Sequence, residues 1–174
     1  RRAIELGVNT FDTSVNYVRF LPLRLGPACP PPRPTTTTTH PCAPPGSLTQ
    51  RPCRSQGTEE MLGAALEGVD RSSIVLSTKW SPDDWEGDAE ANSAALRQSV
   101  ANSLAALRTD YIDVMYFHGL PAASYDTVVS GGLYATMAAL RDEGVIRHIG
   151  LTTRFVDEPG QEVCEIALQR NPEL

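Results

Sequence analysis

The chain has 174 residues, which is the size of one ordinary domain and enough to bury a hydrophobic core. Its formal net charge of -6 argues against nucleic-acid binding as a main function, because that binding needs a clustered basic face. No apolar run approaches the roughly 20 residues that span a bilayer, so we expect no membrane segment and take a cytoplasmic location as the default.

The predicted elements begin with the end of a helix over residues 1–6, stopped by Gly7 in a left-handed cap. A short strand follows over residues 8–12. A helix is predicted over residues 58–69, where acidic residues in the first turn complement the helix dipole. Residues 74–78 form a β-rich apolar run bounded by turn residues, which predicts a buried strand.

The second half of the chain continues the same alternation. Leu96, Val100, Leu104 and Leu107 recur at the three- to four-residue spacing of a helix packed on a sheet. Strands are predicted over residues 111–117 and 145–151, with a helix over residues 134–141 between them. The strand–helix unit therefore repeats four times. Trp80 and Trp85 are equally compatible with loop packing and with the lining of a substrate pocket.

Residues 18–56 differ sharply in composition from the rest of the chain. They hold ten of the 14 prolines, three of the four cysteines and no acidic residue. Proline at this density favours extended conformations without a packed core, so we interpret the span as a disordered Pro/Thr-rich insertion. A loop of this length inside a compact domain is unusual. We therefore expect the folded unit to comprise residues 1–17 and 57–174.

Alternating apolar strands and helices indicate a parallel sheet covered by helices, either doubly wound or closed into a barrel. No Gly-x-Gly-x-x-Gly and no P-loop motif follows a strand, which removes the usual sequence support for a wound nucleotide-binding sheet. The barrel is favoured for that reason. In a barrel the reacting groups come from the carboxyl ends of the strands, where Asp12, Lys79 and His118 are predicted to lie.

Several separated segments, in the same order, resemble the aldo-keto reductase family. The resemblance implies a partial (β/α)8 TIM barrel that lacks the first strand and the last strands, and it covers the chain to about residue 153 outside the insertion. The matching segments are GVNTFDT at residues 7–13, Tyr17, GTEEMLG at 57–63, STK at 77–79, SLAALRTDYID at 103–113, YFHG at 116–119 and GVIRHIG at 144–150.

The resemblance also implies a catalytic tetrad for hydride transfer from NADP(H) to a carbonyl. Tyr17 would be the general acid, and Lys79 would lower the pKa of its phenol from about 10. Asp12 would pair with Lys79, and His118 would orient the substrate oxygen. Taken alone, each residue has an ordinary structural role at a strand end or in a turn. The chemistry needs no metal, and no metal-ligand spacing is present.

Two departures from the family pattern affect the expected site. The family has Ser-Asn after the strand ending near residue 150, where it holds the nicotinamide amide, whereas this chain has Thr152 and Thr153. Joining Tyr17 directly to Gly57 restores the family's sequence. We therefore hypothesise that residues 18–56 are a translated intron or an artefact of the gene model; a disordered lid or a proline-rich ligand for another protein is the alternative.

The sequence thus predicts an NADP-dependent oxidoreductase that reduces an aldehyde, ketone or sugar carbonyl to the alcohol. The alternative is an inactive fragment or a non-catalytic binding or regulatory member of the same fold. A lyase that forms a Schiff base through Lys79 is disfavoured, because Asp12 and Tyr17 would then have no role. The expected partner is a small carbonyl compound, and the sequence predicts neither its identity nor an oligomeric state.

Overall fold

The computed structural model describes residues 2–15, 57–154 and 156–170. Tyr17 and the predicted insertion over residues 18–56 lie outside these ranges. Parallel strands and helices alternate along the described chain, as the sequence predicts. The strands are β1 (Thr10–Asp12), β2 (Val75–Trp80), β3 (Ile112–His118) and β4 (Ile146–Thr152); the helices are α1 (Arg2–Glu5), α2 (Thr58–Ala65), α3 (Ala89–Leu107), α4 (Tyr125–Ser130), α5 (Leu133–Asp142) and α6 (Glu162–Arg170).

The described strands form one parallel sheet in the order β1-β2-β3-β4. Each strand pairs with the next one along the chain, which is the winding of a barrel; a doubly wound sheet reverses its strand order at a switch point. Directly paired residues of neighbouring strands point to the same face of the sheet. The pairs that matter for the site are Asp12 with Ser77, Lys79 with Tyr116, and His118 with Thr152.

The two faces of the sheet differ in character. On β3, Met115 and Phe117 are fully buried in the hydrophobic core, whereas Tyr116 and His118 are only partly buried. Because strand residues alternate between faces, the helices cover the face of Met115 and leave the face of His118 for polar side chains. The core joins β2, β3 and β4 to the helices through buried residues that include Trp80, Leu96, Val100, Met137, Leu140, Ile149 and Val163.

The tryptophans belong to the packing of the sheet. Trp80 is 5% exposed and stands edge-on to Trp85, with ring centroids 6.3 Å apart. Trp85 in turn packs edge-on against Phe117 at 6.2 Å. Edge-to-face packing of this kind is favourable for aromatic rings. The structure thus supports a packing role for the two tryptophans over the lining of a substrate pocket.

The predicted helix over residues 58–69 is too long, since α2 ends at Ala65. Leu66 caps the helix, and Gly68 adopts φ +76°, a conformation that glycine tolerates and an α-helix cannot contain. Helices α4 and α6 were not predicted. They bury few side chains, two in each helix, so their apolar pattern is short.

Among the described residues, none of the helices combines the length and the apolar character that a transmembrane span requires.

An ion-pair cluster lies near the amino ends of β2 and β3, at the opposite end of the sheet from His118. Asp113 binds Arg71 at 2.6 Å and Arg147 at 3.0 Å, and it accepts a hydrogen bond from the Leu76 amide at 2.9 Å. Both guanidinium groups lie 3.9 Å from the ring centroid of Tyr111. Burial raises the pKa of Asp113, but these donors outweigh it and hold the pKa below its ordinary value. The cluster therefore stabilises the fold by linking β2, β3 and β4 to the turn before β2.

Candidate active site

The structure brings Asp12, Lys79 and His118 to one edge of the sheet. Asp12 is the last residue of β1, His118 is the last of β3, and Lys79 precedes the last residue of β2. Parallel strands end at a common edge, and the register places all three side chains on the face opposite the helices. Lys79 Nζ lies 2.5 Å from Asp12 Oδ2.

Lys79 is the only lysine in the sequence, and it is 6% exposed. A buried ammonium is costly unless it is paired and hydrogen-bonded. Its Nζ donates to Asp12 Oδ2 and, at 2.8 Å, to the carbonyl oxygen of Thr13. The sheet thus holds one cation in a fixed place, beside the loop that follows β1.

Asp12 uses both carboxylate oxygens in this arrangement. Oδ2 pairs with Lys79, while Oδ1 accepts a hydrogen bond of 2.6 Å from the Ser77 hydroxyl. The Asp12 side chain is 49% exposed, so solvent reaches the pair from one side. Ser77 belongs to the matching segment STK but was not among the predicted site residues. Its position two residues before Lys79, on the same face of β2, is the signal that could have found it.

The loop after β1 is tied to the first residue of α2. Thr13 Oγ1 donates to Thr58 Oγ1 at 3.1 Å, and Thr58 Oγ1 donates to the carbonyl oxygen of Ser14 at 2.9 Å. Thr13 and Ser14 are almost completely buried. These contacts fix the chain as far as Ser14, three residues before Tyr17. Local sequence could not predict these contacts, because they join residues that are more than 40 positions apart.

His118 lies beside this loop. Its Nδ1 is 3.5 Å from Ser14 Oγ. Burial lowers the pKa of His118, the charge of Lys79 lowers it further, and Asp12 partly opposes the shift. The imidazole is therefore neutral at neutral pH. A neutral imidazole donates a hydrogen bond from one ring nitrogen, which suits it to bind a carbonyl oxygen.

Thr152 and Thr153 lie at the carboxyl end of β4. Thr152 Oγ1 accepts a hydrogen bond of 3.0 Å from the Gly119 amide, so its own proton can be donated to another group. Thr153 Oγ1 donates to Glu158 Oε2 at 3.1 Å, which leaves its lone pairs to accept. Thr152 can therefore donate one further hydrogen bond, and Thr153 can accept one.

A family model described as the aldo/keto reductase family matches residues 1–163 of the chain. Among curated proteins, L-galactose dehydrogenase of Arabidopsis thaliana is 28% identical over 154 residues, covering 87% of this chain and 36% of the relative. Aldo-keto reductase YhdN of Bacillus subtilis is 32% identical over 106 residues, covering 58% of this chain and 30% of the relative. The chain therefore spans about a third of the length of these relatives.

Solved structures show the same fold. A Pseudomonas aeruginosa protein assigned to the aldo-keto reductases matches 97% of this chain with 47% of its own, at 25% identity and a TM-score of 0.59. An aldo-keto reductase from Bacillus halodurans, in its holo form, matches 91% of this chain with 42% of its own, at 23% identity and a TM-score of 0.55. These likenesses confirm the prediction of a partial (β/α)8 barrel.

Proposed function

Because the chain belongs to the aldo/keto reductase family, a family of oxidoreductases, we propose that it carries the site of an enzyme that reduces an aldehyde, ketone or sugar carbonyl with NADP(H). The observation that carries this proposal is the ion pair between the buried Lys79 and the half-exposed Asp12, beside a neutral His118. A histidine with a lowered pKa beside an ion pair at the strand ends is an arrangement that catalytic sites often have.

Tyr17 is the proposed general acid. It comes from the sequence and the family resemblance, since it lies outside the described residues. A phenol with a pKa of about 10 is a poor acid at neutral pH, and a nearby ammonium lowers that pKa by favouring the phenolate. Lys79 is the cation available for this, and its bonds to Asp12 and Thr13 hold it next to the loop that leads to Tyr17.

His118 orients the substrate in this proposal. A neutral imidazole at the carboxyl end of β3 donates to the carbonyl oxygen, polarises the bond and places the oxygen for protonation. The nicotinamide, when bound, supplies the hydride. Thr152 and Thr153 are the proposed cofactor-binding residues, with Thr152 donating to the carboxamide oxygen and Thr153 accepting from its nitrogen. The preference for NADP(H) over NAD(H) rests on the family resemblance.

The experiment that tests this function is NADPH oxidation by the full chain with a panel of aldehydes, ketones and sugars. We expect turnover that falls at least about 100-fold in Tyr17→Phe, because positioned general acids contribute about 10²–10⁴-fold. Tyr134→Phe is the control, since Tyr134 lies in α5 behind the sheet. NADPH binding without turnover of any carbonyl would favour a non-catalytic member of the family.

A further inference from the structure

Every backbone amide of residues 119–122, the loop after His118, donates to the end of β4 or to the segment that follows it. Gly119 N donates to Thr152 Oγ1 at 3.0 Å, and Leu120 N donates to the Thr152 carbonyl oxygen at 2.9 Å. Pro121 has no N–H. Ala122 N donates to Glu158 Oε1 at 2.6 Å, the shortest of these bonds. Residues 119–122 thus have no amide left for another partner.

Glu158 supplies the one charged acceptor among these hydrogen bonds. Besides Ala122, its carboxylate accepts from Thr153 Oγ1 at 3.1 Å and from the Val163 amide, at the start of α6, at 3.3 Å. Three donors from three segments therefore meet on one carboxylate. Hydrogen bonds to an ionised acceptor are roughly twice as strong as neutral ones, so this residue ties the segments together more firmly than a hydroxyl could.

The loop also approaches the β4 segment closely. A Cβ at position 119 would lie 2.6 Å from Arg154 Cγ, so the stem of Arg154 packs directly on the Gly119 backbone. Gly119 adopts φ +69°, a conformation that side chains disfavour. The residue immediately after His118 is therefore confined by packing on one side and by hydrogen bonds on the other.

We propose that Glu158 is a positioning residue, which holds the loop of residues 119–122 against β4 and thereby keeps the His118 imidazole in its place in the site. This inference deepens the proposed function, on which its catalytic meaning rests. Glu158 touches no reacting atom. It acts through two residues that it binds. Ala122 lies four residues after His118, and Thr153 is itself a proposed cofactor-binding residue.

The test is an NMR titration of the His118 ring in the full chain, with the resonance assigned by its loss in His118→Asn. The wild-type pKa should lie below 6.5, in the direction that burial and Lys79 impose. Glu158→Ala should release the loop, admit water and raise this pKa towards 6.5. Merely removing a negative charge would shift the pKa the other way, so the two explanations predict opposite signs.

Glu158→Gln is the conservative variant, because its amide oxygen can still accept from Ala122 N. It should leave the His118 pKa within a few tenths of a unit of the wild type. Glu143→Ala is the matched control: it removes an exposed carboxylate paired with Arg97 and should not move His118. An unchanged or lower His118 pKa in Glu158→Ala would overturn the proposal.

Kinetics then separate this proposal from the proposed function. If the chain reduces carbonyls, Glu158→Ala should lower kcat about 10- to 100-fold, since small misplacements of a reacting group cost about that much. A His118 shift in a chain without turnover would support the positioning role and contradict the reductase. Should Glu158→Ala not fold, hydrogen exchange at the wild-type Ala122 amide decides: protection supports the tie, and exchange at the rate of an exposed loop overturns it.

Discussion

Lys79 shows how the fold fixes the position of a buried charge. In an acidic chain with a single lysine, the ammonium is buried between β1 and β3 and satisfied by a carboxylate and a carbonyl oxygen. The attraction of the ion pair offsets part of the cost of desolvating the charge. The position of the cation is therefore set by the sheet and does not depend on a flexible surface side chain.

The pKa of His118 leads to a prediction about stability. Because the folded pKa is lowered below 6.5, the unfolded chain binds the proton at a higher pH than the folded chain does. Between the folded pKa and pH 6.5 the unfolded state holds more protons, so the contribution of His118 to the free energy of unfolding is lost as the pH falls through this window. We expect His118→Asn to remove this contribution, measured by urea unfolding at several pH values.

The control for that measurement is His148→Asn, which changes an exposed histidine of β4. It should keep the wild-type dependence of unfolding free energy on pH. If His118→Asn also keeps that dependence, His118 titrates normally in the folded chain, and the neutral imidazole of the proposed site is contradicted.

The sequence identified the residues with strong chemical character and missed those that act through geometry. Asp12, Lys79 and His118 follow from strand ends and the family resemblance, and the structure places them together. Ser77 and Thr58 lie in segments that match the family, but the sequence alone assigned them no role, and Glu158 lies beyond the matching segments. Their roles depend on register or on loops that meet only in the folded chain, and neither can be read from local sequence.

At the scale of elements, the bounds of the strands were predicted to within one or two residues. The central strands β2 and β3 were the clearest, since both are buried against helices. The ends of helices were less predictable. The left-handed backbone of Gly68 prevents α2 from continuing through the predicted range. Helix α6 buries only Val163 and Ala167, an apolar stripe too short to recognise in the sequence.

Helix α3 gives a prediction about its own stability. Asp88 caps its first turn by accepting a hydrogen bond of 2.7 Å from the Ala91 amide. Asp88→Ala should lower the free energy of unfolding by about 1 kcal/mol, because a helix amide then loses its acceptor. Asp88→Ser should restore most of that loss. Urea unfolding measures both changes.

Asp83→Ala is the comparison for the cap, since Asp83 is an exposed carboxylate on the same loop, before the helix. A surface substitution of this kind should change the free energy of unfolding by less than about 0.5 kcal/mol. Equal effects of Asp83→Ala and Asp88→Ala would mean that the net charge of the loop matters and the capping bond does not.

At the scale of the whole molecule, the flanks of the sequence insertion meet in the fold. Thr58 Oγ1 donates to the Ser14 carbonyl oxygen at 2.9 Å, although the two residues are 44 positions apart. If Tyr17 were joined to Gly57, four residues would link Ser14 to Thr58. Four residues span up to about 13 Å, far more than this contact requires.

We therefore predict that a chain without residues 18–56 folds with the same sheet. Its backbone NMR spectrum should keep the signals of β1 to β4, and its free energy of unfolding should equal or exceed that of the full chain, because a shorter loop costs less entropy to close. Loss of the folded spectrum would show that the segment is required. Sequencing the spliced transcript tests the intron hypothesis separately, and a message that retains these codons would refute it.

The proposed reduction of a carbonyl depends on the buried Lys79 ammonium at the strand ends. The most direct measurement is kcat/KM for NADPH-dependent reduction of the best aldehyde substrate by the wild type and by Lys79→Met, which keeps the length of the side chain and removes its charge. The proposed function predicts a loss of at least about 100-fold with NADPH binding retained. A Lys79→Met chain that reduces the aldehyde at the wild-type rate would contradict it.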